Sequence, residues 1–190
     1  MRSAHDDNSD EGFTLVELII YSSLLVLVLA VVGGLFLSGL TATGHVRNLT
    51  AATTSGQAVV DSIETNVRNS SDFRVTVPSG TDQFLVARTA TRNTTLAWQC
   101  VAWYYSAAGT GSIRFKESAT AISAPNSTDL QTWTLVQQGV TPVSGRTTIF
   151  SPSSQQLAVT FSSPVAGRAP VVISGSATSR AGVTGNLTCF

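Results

Sequence analysis

A single carboxylate lies where a carboxylate is costly, and its position is the clearest sign of chemistry in this sequence. Glu17 belongs to the segment FTLVEL, residues 13–18, and none of the 23 residues from 18 to 40 has a charged side chain. An acidic side chain in hydrocarbon is expensive unless it lies near the interface or has a partner, so such residues are functional candidates. No Lys or Arg is close to Glu17 in sequence. Cleavage after Gly12 would supply a cation, because it would create an α-amino group on Phe13.

The other reactive side chains do not form a catalytic or metal-binding pattern. His5 and His45 are the only histidines, and both precede the β-rich part of the sequence, so no Ser-His-Asp or Cys-His arrangement is expected there. Two cysteines, Cys100 and Cys189, are too few for a four-ligand zinc site. No acidic residue follows Asp129 to build a C-terminal calcium site. We therefore expect a protein that is not an enzyme and that binds no metal and no cofactor.

The composition of the 190 residues narrows the class of protein. Charged residues make up 12% and the formal net charge is zero, whereas 43% of the residues are hydrophobic. A disordered chain would be poorer in apolar residues and richer in net charge, and a dedicated nucleic-acid-binding domain would carry a basic excess. The charge is unevenly placed, since residues 1–12 hold one arginine against four acidic residues before the uncharged run begins.

The uncharged run must position Glu17, and its length fits a membrane. As an α-helix the 23 residues would extend about 35 Å, against a hydrocarbon core of about 30 Å. The run is apolar all round, as a membrane-spanning helix should be. Two alternatives are a buried core helix, for which a chain of this size has little interior, and a cleaved secretory signal, whose apolar region is usually shorter and follows positive charge.

The segment GFTLVEL, residues 12–18, together with the long apolar helix after it, resembles the class III signal of type IV pilins and pseudopilins. The resemblance implies that a prepilin peptidase cleaves between Gly12 and Phe13 and N-methylates Phe13. It also implies that Glu17 pairs with the Phe13 amine of a neighbouring subunit when the helix leaves the bilayer for a filament. A buried carboxylate becomes tolerable when it meets a buried ammonium. Asp10 and Glu11 depart from a common family pattern, in which basic residues precede the glycine.

This resemblance implies a minor structural subunit of a type IV pilus or a type II secretion-like pseudopilus, involved in filament assembly or initiation. Its partners would be other pilin or pseudopilin subunits, the prepilin peptidase, the inner-membrane assembly platform and, before assembly, the lipid bilayer. It would be a single-pass cell-membrane protein with an extracytoplasmic β domain, and later part of a cell-surface or periplasmic filament. The helix at residues 57–69 followed by sheet resembles J-type minor pseudopilins and W-type minor pilins.

The sequence divides into four predicted regions: a cleaved leader at 1–12, a membrane-spanning or filament-core helix at 13–40, an amphipathic continuation at 41–72, and a β-rich globular domain at 73–190. In the continuation, apolar residues recur at steps of three and four from Val46 to Val67. Gly33 and Gly34 interrupt the apolar half, and each costs about 1 kcal/mol of helix stability relative to alanine. They favour either tight packing against another helix or a weak point where the helix melts or bends on filament entry.

After Asp72 the pattern changes to period two with β-forming residues, which indicates strands. The longest strand is apolar on both faces, so we expect it at the centre of a sheet with the long helix on one face. The predicted fold class is α+β: a long N-terminal helix packed on an antiparallel β-sheet domain, as in pilins. Turns are predicted at residues 125–127 and 151–153, among others. The predicted strands are Phe73–Val77, Gln83–Thr89, Thr95–Tyr105, Ser112–Lys116, Thr132–Gln137, Thr147–Phe150, Leu157–Ser162 and Val171–Ser174.

The interpretation of the two cysteines depends on the predicted export of the β-rich domain. In an exported domain a pair of cysteines implies a disulfide, and a bond between Cys100 and Cys189 would pin the C-terminal end of the chain to the predicted central strand. Two buried free thiols are the alternative.

Two functions of other classes remain open from the sequence. One is a single-pass membrane-anchored adhesin or receptor in which Glu17 has no special role. The other is a DNA-capturing minor pilin of a competence filament, because basic residues and aromatics that could stack on bases are close together in sequence. The alternative for that group is aromatics in the core and basic side chains on the surface. The basic residues are Arg68, Arg74, Arg88, Arg92, Arg114 and Lys116, and the aromatics are Trp98, Trp103, Tyr104 and Tyr105.

Overall fold

The computed structural model describes residues 14–91, 97–179 and 189–190, and these fall into two compact units that divide between Val46 and Arg47. One helix, α1 (Leu15–Arg68), forms almost all of the described first unit and is the first element of the second. It ends four residues before the predicted boundary at Asp72, because the chain already forms a strand from Ser70 onwards.

In the first unit, the described residues leave the helix exposed. Every large apolar side chain from Leu15 to Leu40 is exposed over half or more of its area. By length and composition this helix could cross a membrane. A helix satisfies its backbone polar groups within the segment, which is what a chain surrounded by hydrocarbon requires. The first unit therefore fits a single-pass membrane anchor.

The second unit contains two antiparallel sheets. The first has five strands in the order of the chain, and the second has three, also in chain order. The first sheet comprises β1 (Ser70–Thr76), β2 (Gln83–Ala90), β3 (Trp98–Ser106), β4 (Ser112–Ser118) and β5 (Thr134–Gln138). The second comprises β6 (Phe150–Ser153), β7 (Gln156–Val165) and β8 (Arg168–Thr178). The long helix followed by antiparallel sheet confirms the predicted α+β class.

The predicted central strand is central in the structure, because β3 lies between β2 and β4. Its side chains alternate as the sequence pattern requires. Val101, Trp103 and Tyr105 lie in a first core with the helix, whereas Cys100, Ala102 and Tyr104 lie in a second core on the other face. Residues 95 and 96, the start of the predicted strand, lie outside the described residues.

Two local predictions are wrong. The predicted strand Thr147–Phe150 is displaced, because β6 begins where that prediction ended and includes the residues predicted as a turn. Pro152 is tolerated there because β6 is an edge strand of its sheet as described, where a missing N–H costs little. The reversal into β7 comes two residues later, where Ser154 adopts a left-handed φ of 55°.

The second wrong prediction concerns the turn at residues 125–127. A short helix, α2 (Ser127–Gln131), begins there. The Asn126 side-chain oxygen accepts hydrogen bonds from the backbone N–H groups of Thr128 and Asp129, at 2.9 and 2.8 Å. The asparagine is therefore a helix N-cap, which has the same residue preferences as a turn.

The first core joins the helix to both sheets. The apolar stripe of the helix is almost completely buried against the strands, and it consists of Val59, Val60, Ile63 and Val67. Gly56 lets the helix approach β8 closely, since a Cβ at this position would overlap the Ile173 side chain. The amphipathic pattern of the sequence is thus confirmed over this part of the helix.

A buried amide connects the two sheets. Gln83 on β2 is 2% exposed, and its side-chain oxygen accepts hydrogen bonds from the N–H groups of Ile149 and Phe150, at 2.6 and 2.9 Å. Its amide nitrogen donates to the Phe150 carbonyl at 2.9 Å. Because a buried polar group is stabilising only when its hydrogen bonds are made, this side chain fixes β6 at the end of the first sheet.

Candidate assembly site at the start of the long helix

The helix begins with a polar turn. Thr14 precedes the first helical residue, and its side-chain oxygen accepts a hydrogen bond from the backbone N–H of Glu17 at 3.3 Å. A threonine with a glutamate three residues later is the sequence of a capping box, and a carboxylate in the first turn interacts favourably with the helix dipole. Glu17 therefore has a local role in starting the helix, in addition to any role between subunits.

The Glu17 carboxylate has a partner that the sequence analysis missed. The Tyr21 hydroxyl donates a hydrogen bond to Oε1 of Glu17 at 3.1 Å. The two residues are four positions apart, and this spacing places them on the same side of a helix. That spacing is the signal in the sequence that indicates this contact.

Among the described residues around Glu17 in the helix, no basic side chain lies close to it in sequence. From Thr14 to Gly44, a stretch that the structure describes completely, there is no Lys, Arg or His. The first is His45, about 42 Å further along the helix at about 1.5 Å per residue. Gly12 and Phe13, the predicted cleavage pair, lie outside the described residues, so cleavage and methylation there remain predictions.

Gly33 and Gly34 lie inside the helix, which is continuous through both positions. No heavy atom outside the local helix lies within 4 Å of the place where a Cβ would stand on either glycine. The exposed notch that they form leaves both predicted roles open. Packing against another helix would fill it, and bending on filament entry would use its low helix propensity.

The cysteines form the predicted bond. Cys100 on β3 and Cys189 are joined by a disulfide with a Cα–Cα distance of 5.5 Å, and both residues are buried. Phe84, Val86 and Trp133 surround this disulfide in the second core. The bond therefore holds the C-terminal residues against the outer face of the five-stranded sheet, as the sequence analysis expected.

The residues considered for DNA binding are divided by the fold. Trp103 and Tyr105 are buried in the first core and offer no stacking surface, whereas Trp98 is 39% exposed. Three basic side chains lie over aromatic rings of their own chain: Arg74 over Phe190, Arg88 over Trp98 and Lys116 over Trp133, at 4.9, 4.3 and 5.6 Å from the ring centroids.

The rest of this group is also engaged within the chain. Arg68 forms an ion pair with Glu64, and Arg114 donates to the Trp133 carbonyl at 3.0 Å. Arg92 lies outside the described residues. Intrachain contacts thus occupy the described basic side chains, and the exposed face of Trp98 is what remains of the predicted stacking surface.

One tyrosine of the second unit has a strongly shifted pKa. Burial, together with a hydrogen bond from its hydroxyl to the Asp82 carboxylate at 2.8 Å, raises the pKa of Tyr104 to about 12. The same carboxylate accepts a hydrogen bond from the Ala107 N–H at 2.7 Å. A phenol with this pKa keeps its proton at neutral pH, so the contact acts in structure rather than in proton transfer. Among the described residues, no group of three or more His, Cys, Asp or Glu side chains is placed to hold a metal ion.

No protein-family model, no curated protein and no solved structure matches this chain. The long apolar helix followed by antiparallel sheet is compatible with a pilin-like architecture.

Proposed function

We propose that this chain is a minor structural subunit of a type IV pilus or a type II secretion-like pseudopilus. The proposal depends on one observation: a carboxylate lies in the first turn of α1, immediately after the segment GFTLV and before the exposed, uncharged run of residues 18–40. In this proposal a prepilin peptidase cleaves after Gly12 and methylates Phe13. Before assembly the chain is then a single-pass membrane protein with its β-rich unit outside the cytoplasm.

The exposure of the first unit supports the proposal. Leu15 and Leu35 are 75% and 70% exposed, and every large apolar side chain between them is exposed over half or more of its area. Burying one such side chain is worth about 1.5–3 kcal/mol, so the helix must be covered by something other than its own chain. Lipid covers it before assembly, and the equivalent helices of other subunits cover it in a filament.

The position of Glu17 gives this assembly its direction. A subunit that enters the filament brings an α-amino group on Phe13, and Glu17 of its neighbour is the carboxylate that this ammonium meets. A desolvated charge pair of this kind is costly to break, because removing one partner leaves the other charge buried alone. Glu17 therefore selects the axial register of neighbouring helices, while the apolar side chains supply most of the buried area.

The second unit supports display outside the cytoplasm. A disulfide such as Cys100–Cys189 persists in oxidising compartments and is rare in the cytosol. The helical stripe buried on the sheet keeps this unit folded by its own core, so it needs no filament contact to hold its shape. The J-type pseudopilins and W-type minor pilins remain the subtypes that we propose.

Mass spectrometry of the mature protein from its native host tests the proposal. We expect a chain that begins at Phe13 and carries one methyl group on its α-amino nitrogen. A mature chain that begins at Met1, or beyond residue 40, would exclude processing of this kind. The first outcome would favour a membrane-anchored adhesin or receptor, and the second would favour a cleaved secretory signal.

A second measurement addresses the DNA-capturing alternative. We expect the full chain in detergent micelles to show no salt-dependent affinity for duplex DNA, because intrachain contacts already engage the described members of the basic group considered for DNA binding. A steep salt dependence that is lost in Arg74→Ala would instead identify the outer sheet face as a DNA-binding surface.

A further inference from the structure

Tyr21 lies one helical turn after Glu17 and hydrogen-bonds its carboxylate, at 3.1 Å between the hydroxyl and Oε1. Tyr21 is 56% exposed and Glu17 is partly exposed, and both belong to the part of the helix whose large apolar side chains are exposed. The backbone N–H of Glu17 is separately satisfied by Thr14. The carboxylate and the phenol therefore form a local pair within the first two turns of the helix.

We propose that Tyr21 is the resident partner of Glu17 in the membrane-embedded monomer, a positioning residue that holds the carboxylate until a neighbouring ammonium replaces the phenol. The second half of this statement rests on the proposed function. Glu17 must spend time in the bilayer before it meets another subunit, and from Thr14 to Gly44 the sequence offers no cation. A hydroxyl on the same helix lowers the free-energy cost of holding the carboxylate in the bilayer, without neutralising its charge.

The strength of the contact suits an exchange of partners. A hydrogen bond from a neutral phenol is weaker than one from an ammonium, since both groups of the latter pair are ionised. The neighbour's α-amino group therefore displaces the Tyr21 hydroxyl from the Glu17 carboxylate. Because Tyr21 and Glu17 belong to the same helix, the contact also fixes the direction of the carboxylate before assembly begins.

An alternative explanation for Tyr21 is that its ring anchors the helix at the membrane interface, where tyrosine is enriched. In that case the hydroxyl would act on the lipid headgroups, and its effect would not depend on Glu17. The two explanations therefore differ in whether Tyr21 and Glu17 are coupled.

Solid-state NMR of the full chain in lipid bilayers, with tyrosine labelled at Cζ, tests the contact itself. The chain has three tyrosines, and the signal of Tyr21 is the one lost in Tyr21→Phe. We expect Glu17→Ala to move that signal upfield, because the phenol loses its acceptor, while the signals of the other two tyrosines stay in place. A Tyr21 signal that is the same in Glu17→Ala and the unmodified chain would overturn the proposal.

Glu64→Ala is the matched control for this measurement. Glu64 is also a glutamate of α1, but it forms an ion pair with Arg68 and lies in the second unit. Its removal should leave the Tyr21 signal unchanged. A shift of equal size in Glu64→Ala would show that the signal reports the helix as a whole, and this too would contradict the proposal.

A double-mutant cycle tests the coupling in the membrane. The quantity measured is the ratio of membrane-retained to extracted full-length chain after extraction with urea at neutral pH. We expect Tyr21→Phe to lower this ratio about threefold more in the unmodified chain than in Glu17→Ala, the size of an average side-chain hydrogen bond in a membrane helix. An equal effect in the two backgrounds would identify an interfacial anchor and overturn the proposal.

Ser22→Ala provides the matched loss of a hydroxyl. The Ser22 hydroxyl donates to the Ile19 carbonyl at 3.0 Å, so it has no carboxylate partner. Its removal should have the same effect in both backgrounds. Neither measurement needs a filament, so both are independent of the test on the mature N-terminus. An unprocessed Phe13 with coupling intact removes only the proposed function, whereas a methylated Phe13 without coupling removes only the role of Tyr21.

Discussion

The two halves of α1 have opposite surroundings although they belong to one helix. From Leu15 to Leu40 apolar side chains occupy all sides and are exposed, whereas from Arg47 to Arg68 the buried ones form a single stripe. The sheets of its own unit bury the stripe of the second half, whereas none of the described residues covers the first half. Folding of the second unit therefore buries the apolar side chains of one half, whereas those of the other half need lipid or further subunits to cover them.

The largest expected difference between the units concerns the disulfide. Replacing both cysteines in Cys100→Ala/Cys189→Ala should lower the free energy of unfolding of the second unit by about 4–5 kcal/mol, since the bond closes a loop of 89 residues. Urea unfolding of the full chain in micelles, followed by tryptophan fluorescence, measures this, because all three tryptophans belong to the second unit.

The first unit supplies the control for the cysteine variant. The helical circular dichroism that remains in micelles after the tryptophan transition should be the same in both chains. A loss of less than about 1 kcal/mol in the fluorescence transition would show that the C-terminal residues contribute little to the second core.

The next largest effect compares the same kind of truncation in the two halves of the helix. Ile63 is fully buried, and Ile63→Ala should destabilise the second unit by about 2–5 kcal/mol, through lost burial and a cavity. Leu25 is 59% exposed, and Leu25→Ala should leave the same fluorescence transition unchanged. Equal losses in both variants would mean that the second unit depends on contacts of the first, contrary to the difference in burial.

The third prediction concerns a substitution in the first unit alone. Glu17→Ala should leave peptidase processing largely intact but lower incorporation into filaments at least about tenfold, which corresponds to about 1.4 kcal/mol. Immunoblotting of sheared filaments against the membrane pool measures the ratio. Glu64→Ala is the control in the second half of the helix and should assemble normally. Normal incorporation of Glu17→Ala would contradict the pairing role that we propose.

The sequence predicted the parts of the fold that depend on local periodicity. The apolar run, the helical stripe up to Val67 and the alternation along β3 each follow from spacing within a short segment. The disulfide also followed, although only under the assumption of export. These features are local or need a single pairing, so one sequence is enough to indicate them.

The features that the sequence did not predict depend on distant residues or on ambiguous ones. Gln83 joins strands that are more than 60 residues apart, and nothing near it in sequence distinguishes it from a surface glutamine. Asn126 caps a helix with the same side chain that would make a turn. The division into two sheets, and the displacement of β6, follow from such long-range contacts.

Tyr21 was missed for a different reason. Its distance of four positions from Glu17 was visible in the sequence, but tyrosine in an apolar helix reads equally well as an interfacial anchor. Only the observed hydrogen bond selects the polar role. The candidate site is therefore predictable in its charge but not in its local partner.

The smallest predicted effect is a pH dependence that belongs to the second unit alone. In the folded chain the pKa of Tyr104 is about 12, against 10.0 for a free phenol, because of burial and the hydrogen bond to Asp82. The folded state therefore holds this proton more tightly than the unfolded state does. The contribution to stability is complete below pH 10 and is lost as the pH rises from 10 towards 12.

Comparison with Tyr104→Phe isolates this contribution from the other groups that titrate in the same range. Between pH 9 and 11 the unmodified chain should lose more unfolding free energy than Tyr104→Phe, by an amount on the order of 1 kcal/mol. Tyr105, whose pKa burial also raises, is present in both chains and cancels. The tryptophan fluorescence transition reports this loss, and the helical circular dichroism of the first unit should not change. Parallel pH profiles for the two chains would show that the Tyr104–Asp82 contact does not distinguish the folded from the unfolded state.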